Sequence, residues 1–285
     1  MKLQITLTVP EAKQIIAKAI AERADVKNAL NNGQVLLKGG TTVSAISEEL
    51  VGEKLRIGGR ITSNGTKNAL EKHNQSHSLL ISQGKVRNAD NKIEQITGDM
   101  QRSDVIITSA NALDADGNAA MMAAAPLGHK AGKAISGFAS QGCKVIVAVG
   151  LEKLIPGSIR QAVLSAGRES IDKALGSAVG LIPIIGEVFT EKEAVMSLAD
   201  VKATVISSGG IYGAEGATTM VVSGQKEDVE TIYQLVLEIK GTETSGTPES
   251  LIECRRGCPQ CKRHLACVYK LGYLEEDEIG DRYET

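Results

Sequence analysis

Two short runs of apolar, mostly β-branched residues place the strongest constraint on the fold of this chain. They occupy positions 103–109 (SDVIITS) and 144–150 (KVIVAVG). Neither run alternates apolar with polar residues, and an unbroken apolar run is typical of a strand that is buried on both faces. A Gly- and Ala-rich helical pattern at 128–140 lies between them. Because parallel strands need a crossover connection, the pattern predicts a mostly parallel sheet covered by helices.

The same alternation of strands and helices extends towards the N-terminus. We therefore expect residues 1–180 to form an α/β domain, with a mostly parallel, Rossmann-like sheet and helices on both faces. Apolar periodicity and short apolar runs predict helices at 10–30 and 43–50, and strands at 34–38, 54–57 and 78–81.

The order of elements changes after residue 180. A strand, a helix, two strands and a helix follow one another, which predicts a small α+β subdomain of split-βαβ type at 181–240. Residues 241–285 are then predicted to form a polar linker, a Cys-rich segment and an acidic tail. The elements of the subdomain are expected at 181–188, 190–199, 202–208, 217–223 and 226–240.

Composition narrows the classes of function. The 285 residues include no Trp, two Phe and five Tyr, whereas binding of single-stranded nucleic acid relies on aromatic stacking. The formal charge of −2 also argues against a broad nucleic-acid surface. No apolar run reaches the roughly 18 residues of a membrane span, and the first residues lack the apolar core of a signal peptide. We therefore expect a cytoplasmic protein that binds neither nucleic acid nor membrane.

Four cysteines lie close together near the C-terminus, at Cys254, Cys258, Cys261 and Cys267. In a reducing compartment such clustering indicates metal binding rather than disulfides. Thiolates select Zn²⁺, Cu(I) or iron–sulfur clusters. A zinc ribbon has two separated Cys pairs, so this compact group favours an iron–sulfur cluster slightly over Zn²⁺, with His264 as an alternative ligand. The fifth thiol, Cys143, is expected to be a small core residue.

A glycine pair follows the strand predicted at 34–38 and precedes a helix. The sequence there is Gly39-Gly40-Thr41-Thr42. Glycines let an anion approach the backbone, and the first turn of a helix offers free N–H groups and the positive end of its dipole. An anion-binding loop and a plain turn with a Thr cap both fit this spacing.

Polar and acidic residues follow the two buried strands. Asn111, Asp114 and Asn118 come after the first strand, and Glu152 and Lys153 come after the second. Ligands of α/β proteins bind at the C-terminal ends of strands. Asp114 and Glu152 are therefore the candidate catalytic carboxylates, with Asn111, Asn118 and Lys153 as candidate ligand-binding residues. Each is also compatible with an ordinary turn or surface residue.

The strand–GGTT–helix segment and the segment SDVIITSANALDADGNAAMM together carry a family resemblance. The first resembles the phosphate-binding loop of sugar-phosphate isomerases. The second is similar to the strand and acidic turn of isomerases and CoA transferases. The chain thus resembles the superfamily of ribose-5-phosphate isomerase, glucosamine-6-phosphate deaminase, the CoA transferases and the lactate-utilisation (LUD) proteins. Some LUD proteins carry iron–sulfur segments after the superfamily domain, which the Cys segment resembles.

Three functions follow as expectations. The first is an enzyme of isomerase or transferase type that acts on a small anionic metabolite, such as a phosphorylated sugar, and assembles as a homo-oligomer. The second is an iron–sulfur accessory protein of the lactate-utilisation kind, which exchanges electrons with a redox partner. The third is a non-catalytic binding module stabilised by a metal ion.

Overall fold

The computed structural model describes residues 1–271, with Lys262 and Leu271 described by their backbone alone. The acidic tail predicted from the sequence lies outside these residues. The strands are β1 (Lys2–Leu7), β2 (Gln34–Lys38), β3 (Gly59–Thr62), β4 (Gly65–Asn68), β5 (Ser78–Ser82), β6 (Lys85–Asn88), β7 (Val105–Thr108), β8 (Ala112–Leu113), β9 (Ala119–Ala123), β10 (Lys144–Ala148), β11 (Gly180–Ile184), β12 (Glu187–Phe189), β13 (Val201–Gly209) and β14 (Ala217–Gly224). The helices are α1 (Val9–Glu22), α2 (Ala24–Asn32), α3 (Thr41–Val51), α4 (Ile93–Asp99), α5 (His129–Lys133), α6 (Ile135–Ser140), α7 (Ile159–Ser165), α8 (Glu191–Leu198), α9 (Lys226–Ile239), α10 (Pro248–Leu251) and α11 (Val268–Leu271).

A mixed six-stranded sheet, in the order β12-β10-β7-β2-β5-β6, forms the centre of the described chain. The four strands β12, β10, β7 and β2 are parallel, and β5 and β6 are antiparallel to their neighbours. The predicted α/β class is confirmed. From β2 the chain crosses to β5 on one side, whereas from β7 it proceeds to β10 on the other side. The C-terminal ends of β2 and β7 therefore form a switch point, where ligands of α/β sheets commonly bind.

Each face of the central sheet packs on its own apolar core. One core joins the sheet to α1, α3, α8 and α9 and to a three-stranded antiparallel sheet, β1-β14-β13. The other core includes residues of α4, α6 and β9. Val35 and Leu37 belong to the first core, and Leu36 belongs to the second, as the alternation of side chains along a strand requires. The N-terminal strand β1 pairs with β14, so residues 181–240 share a sheet with the start of the chain.

Four predicted elements are corrected by the structure. The helix predicted at 10–30 is two helices, because Arg23 adopts an extended conformation and pairs with Asp25 and Glu187. The helix predicted at 128–140 is also divided, into α5 and α6. The strand predicted at 181–188 is divided between β11 and β12, which belong to different sheets. Residues 54–57 are not a strand, since the N–H groups of Leu55 and Ile57 donate to the side chains of Ser44 and Ser250.

Among the described residues, no helix has the length and apolar character needed to cross a membrane.

Candidate functional site

The carboxylate of Glu152 lies at the C-terminal end of β10, in a short 3₁₀ turn (Leu151–Lys153). Its side chain is only 9% exposed, and both carboxylate oxygens are buried without a hydrogen bond. Lys13 Nζ of α1 lies 3.5 Å from Oε1, and Lys153 Nζ lies 3.8 Å from the same atom. Both distances exceed a normal charge-assisted hydrogen bond. A buried carboxylate whose lone pairs are all unused is costly, and such groups concentrate at functional sites.

A second carboxylate, that of Glu191, lies near Glu152 at the start of α8. It is fully buried, and it accepts hydrogen bonds from Leu151 N at 2.9 Å and from Thr218 Oγ1 at 2.9 Å. Burial raises the pKa of Glu191 to about 7, and the nearby Glu152 raises it further against the lowering effect of the Leu151 N–H. Glu191 can therefore hold or release a proton near neutral pH.

Lys13 is the buried cation of the same group, with a side chain that is 8% exposed. Burial lowers the pKa of Lys13, while the charge of Glu152 opposes that effect. We call Lys13, Glu152, Lys153 and Glu191 the β10–β12 cluster. Carboxylates and amines that lie close together and differ in burial can act as the acid and the base of a catalytic site.

Two glycines fit closely around Glu152. A Cβ added to Gly150 would collide with Glu152 Oε2, and a Cβ added to Gly216 would lie 3.2 Å from Glu152 Cβ. Gly216 has a φ of +81° and ends the turn between β13 and β14. The β13–β14 connection and β14 therefore pack directly on the β10–β12 cluster, through Gly216 and Thr218 respectively.

The end of β2 carries a different charged group. Lys38 is 4% exposed, and its Nζ lies 3.4 Å from Met121 Sδ. Burial lowers the pKa of Lys38 to about 8. Half-buried His77 packs against Gly39, and its Nδ1 donates to the carbonyl of Arg56 at 2.8 Å. Burial lowers the pKa of His77, and the charge of Lys38 lowers it further.

The predicted anion-binding loop directly follows Lys38 in the chain. Gly40 is the N-cap of α3, with a φ of 149° that only glycine adopts readily, and no side chain caps the helix. Thr41 and Thr42 are the first two helical residues, so the Thr-capped alternative does not apply. A Cβ on Gly40 would lie 3.2 Å from Ser109 Cβ. The loop therefore faces the end of β7, and its first helical N–H groups have no capping side chain.

Asp114 is in a different situation from Glu152. Its Oδ1 accepts from the N–H groups of Asp116 and Asn118, at 3.1 and 2.9 Å, and its Oδ2 accepts from Ile159 N at 2.9 Å. The amide of Asn118 binds both oxygens. The hydrogen bond from Ile159 N–H, followed by those from Asn118 and Asp116, holds the pKa of Asp114 below its ordinary value. This carboxylate shapes the β8–β9 turn and joins it to the first residue of α7, which leaves little capacity for a substrate.

The remaining predicted ligand residues separate into these groups. Asn111 Oδ1 accepts from Met122 N at 2.9 Å, and Asn111 N donates to Ala120 O, so its side chain holds β9. Glu152 and Lys153 belong to the β10–β12 cluster, and Asp114 and Asn118 belong to one turn. The catalytic and ligand-binding roles assigned to all these residues from the sequence stay predictions.

The four cysteines of the C-terminal segment are all buried and free of disulfides. Cys254, Cys258 and Cys261 pack on one another, with Leu70 as the partly buried apolar neighbour, and Cys267 packs with Val268 and Tyr269. Cys254 Sγ lies 3.8 Å from Nε2 of the buried His264. In the described part of the chain, however, no three His, Cys, Asp or Glu side chains are arranged as a set of metal ligands.

Backbone hydrogen bonds attach the Cys segment to two distant parts of the chain. Cys254 N donates to the carbonyl oxygen of Asn68, the last residue of β4, at 2.8 Å. Ala174 N donates to Ala266 O at 2.8 Å, and Val268 N returns a bond to Ala174 O at 3.0 Å. The segment is therefore an integral part of this side of the molecule.

Sequence reasoning did not single out four titratable residues of these two groups: Lys13, Lys38, His77 and Glu191. Lys13 and Glu191 lie within amphipathic helices, where a charge is ordinarily a surface residue. Only their burial in three dimensions marks them. Lys38 carried a weak signal, since it ends an apolar strand directly before the glycine pair.

No family model, no curated protein and no solved structure matches this chain. The function is therefore inferred from the chemistry of the chain's own residues.

Proposed function

We propose that this protein is an enzyme that moves a proton on a small anionic metabolite at the β10–β12 cluster, by isomerase-type or transferase-type chemistry. One observation supports this proposal above all others: the Glu152 carboxylate is buried, makes no hydrogen bond and lies between two lysines. A ligand that donates a hydrogen bond or a proton would satisfy it.

Each member of the cluster takes a role that its surroundings suit. Glu152 is the base, because its lone pairs are unused. Lys153, whose side chain is 29% exposed, meets the negative charge of the metabolite at the entrance. Glu191 exchanges a proton, since burial raises its pKa to about 7. Lys13 balances the charge of Glu152 before the metabolite arrives.

The proposal retains several expectations from the sequence. The four parallel strands act as a Rossmann-like framework related to the sugar-phosphate isomerase and CoA-transferase superfamily. The loop Gly39 to Thr42 supplies anion-binding N–H groups, and Asn111, Asp114 and Asn118 shape the neighbouring wall. The enzyme works in the cytoplasm, where free thiols persist, and as a homo-oligomer.

Proton transfer can be tested with the chain alone. The protein is incubated in D₂O with ribose 5-phosphate, glucosamine 6-phosphate and lactate in turn, and the C–H signals are followed by NMR. Melting temperatures are measured with the same compounds. We expect at least one compound to raise the melting temperature and to exchange a C–H proton for deuterium.

Variants assign the roles. Glu152→Gln should abolish exchange, and Lys153→Met should weaken the rise in melting temperature. Exposed Glu53 provides a matched control, because Glu53→Gln should retain both effects. Exchange that persists unchanged in Glu152→Gln would exclude Glu152 as the base, and the absence of any rise in melting temperature would exclude these metabolites.

A second function is favoured by the sulfur packing of the Cys segment. We propose that Cys254, Cys258, Cys261 and Cys267, with His264 as an alternative donor, bind an iron–sulfur cluster or Zn²⁺. The apolar core of this segment consists largely of its own sulfurs, a composition typical of segments whose fold depends on a metal ion. The donors fit a soft metal in chemical type, and binding would have to draw them together.

The metal is identified by elemental analysis and visible absorption of protein purified without oxygen. Brown protein with iron and labile sulfide supports a redox accessory role beside a partner protein. Colourless protein with one zinc per chain supports a metal-stabilised module. Protein with neither metal, and no gain in melting temperature on adding Zn²⁺, contradicts this second proposal.

A further inference from the structure

Lys38 is a buried amine that the proton-transfer chemistry at Glu152 does not use. It lies at the end of β2, whereas Glu152 follows β10, two strands away across β7. Two strand spacings amount to about 10 Å. The two groups therefore belong to separate positions along the same edge of the sheet.

The surroundings of Lys38 provide no carboxylate. Among the described residues, its Nζ contacts the thioether of Met121, and no acidic side chain lies within ion-pair distance. In the register of the sheet, Lys38 pairs with Thr108 of β7 and with Ser78 of β5. Its side chain shares the face of Leu36, which belongs to the second apolar core. A buried ammonium without a counter-ion is costly, so the neutral amine is favoured.

The nearby titratable groups do not restore a negative charge. His77 is the titratable neighbour of Lys38, and burial and the charge of Lys38 both lower the pKa of His77. Asp90 lies beyond it, but its carboxylate accepts from the N–H groups of His77 and Ser78 and pairs with Arg56 at 3.3 Å. No anion in the described chain therefore keeps Lys38 charged.

The residues next to Lys38 are partly exposed to solvent. Gly39, Gly40 and Thr41, which follow it in the chain, are only partly buried, and so is His77. The first N–H groups of α3 lie in this loop without a capping side chain, and they favour a negatively charged group. An anionic group at these N–H groups would lie within three residues of Lys38 along the chain.

We propose that Lys38 Nζ is a nucleophile that condenses with the carbonyl group of a small anionic aldehyde or ketone to form an imine. The nitrogen lone pair forms a C–N bond, the electrons of the C=O π bond move to oxygen, and one proton passes from nitrogen to that oxygen. The nitrogen then gives up its second proton and forms the C=N π bond as the C–O bond breaks, and the oxygen leaves with that proton as water. Amine and carbonyl thus give imine and water, and hydrolysis reverses the step.

Burial supplies the activation that such a lysine needs. It lowers the pKa of Lys38 to about 8, whereas an ordinary lysine has a pKa of about 10.4. A desolvated lysine in an apolar pocket is a recognised form of activated nucleophile. His77 also suits a proton carrier, because its Nδ1–H is held by the carbonyl of Arg56 and its Nε2 is left as an acceptor.

The test is reductive trapping with pyridoxal 5′-phosphate, an aldehyde that carries a phosphate group. The full chain is treated with this probe and sodium cyanoborohydride, and the modified peptides are quantified by mass spectrometry. At pH 7.5 we expect Lys38 to be modified at least about tenfold faster than exposed Lys202, because more of its amine is neutral. Inorganic phosphate should slow the modification of Lys38 alone.

Variants and pH complete the test. Lys38→Arg keeps the positive charge but cannot form an imine, so it should lose the fast adduct, whereas Lys202→Arg should retain it. The rate at Lys38 should reach half of its maximum near pH 8. Modification spread over exposed lysines, with Lys38 untouched, would overturn the proposal even if Lys38→Arg failed to fold. Fast modification unaffected by phosphate would overturn the anionic part.

The outcome is independent of the proposed proton transfer. Trapping requires no turnover and no Glu152, so Glu152→Gln should be labelled at Lys38 as fast as the unaltered chain. Labelling without deuterium exchange would leave the imine site standing and the proton-transfer proposal refuted. Deuterium exchange without labelling of Lys38 would leave the proton-transfer proposal standing and refute the imine site.

Discussion

Asp114 and Glu152 are two carboxylates that follow strands, β8 and β10 respectively, and their surroundings differ completely. Three backbone N–H groups and the amide of Asn118 bind Asp114. The Glu152 side chain is 9% exposed, yet its two oxygens have no hydrogen bond. The sequence placed both in the same category, since each is an acidic residue just beyond a buried strand.

The difference separates a carboxylate whose hydrogen bonds stabilise the fold from a carboxylate whose oxygens have no hydrogen bond. Asp114 connects residues 114–118 to the start of α7, so its hydrogen bonds stabilise the fold. Glu152 loses solvation and gains only two long ion pairs, so the fold would be at least as stable without its charge. Free lone pairs, rather than proximity to a strand end, distinguish the group that is available for chemistry.

The largest expected effect is on stability at Asp114. Asp114→Ala removes acceptors from three backbone N–H groups that lie in the β8–β9 turn and at the start of α7. We expect the melting temperature to fall by about 5–10 °C. Asp116 is the matched control, because it is exposed in the same turn and Asp116→Ala should shift the melting temperature by less than about 2 °C. Equal effects of the two substitutions would break the comparison.

The next effect concerns Glu191 and appears as a dependence on pH. Burial raises its pKa from 4.5 to about 7, so the folded protein keeps the proton that the unfolded chain loses. The contribution of Glu191 is full below pH 4.5, decreases as the pH rises, and is lost above about pH 7. The total change amounts to about 3 kcal/mol in the free energy of unfolding.

Glu191→Gln cannot lose a proton, so it measures this contribution directly. Urea unfolding at pH 5 and pH 8 should show the variant gaining about 3 kcal/mol relative to the unaltered protein as the pH rises. Glu227, which is exposed on α9, provides the control, and Glu227→Gln should show no such change. A difference curve that is flat, or that rises towards acid pH, would contradict the assignment.

A smaller effect on stability is expected at Glu152. Glu152→Gln keeps the side-chain volume and removes a charge that has no hydrogen bond, and burial then lowers the pKa of Lys13 without the opposing charge of Glu152. We expect the melting temperature to change by less than about 3 °C, although proton transfer should be lost. Differential scanning calorimetry beside Asp114→Ala measures the contrast. A fall as large as that of Asp114→Ala would make Glu152 a structural residue.

The sequence predicted the sheet better than it predicted the site. Apolar runs located β2, β5, β7 and β10, because burial on both faces of a sheet leaves few other residue choices. The break at Arg23 was not visible, since its cause is an ion pair with Glu187, which is distant in the chain. The pairing of β1 with β14 was hidden for the same reason.

Site residues were predictable only where the local chain marks them. Glu152 follows a strand directly, and its candidacy came from that position. Lys13 and Glu191 come from α1 and α8, and they reach the cluster through the packing of helices on the sheet. Their sequence positions resemble those of surface charges, such as Lys18 and Glu238 on α1 and α9. Burial, which separates the two kinds, is a property of the assembled core.

The smallest change of stability should come from Gly150, and it sharpens the comparison most. Gly150 has a φ of −76°, which any residue adopts, but an added Cβ would meet Glu152 Oε2. Because that atom is the end of a flexible side chain, Gly150→Ala should move the carboxylate and lower the melting temperature by less than about 2 °C. Deuterium exchange should nevertheless fall as far as in Glu152→Gln, since a base acts only from the correct position. Gly157→Ala, where φ is not positive and the added Cβ makes only an ordinary contact of 3.6 Å with Gln161 Oε1, controls for the general cost of replacing a glycine. Full exchange in Gly150→Ala would show that the position of Glu152 is irrelevant to the reaction.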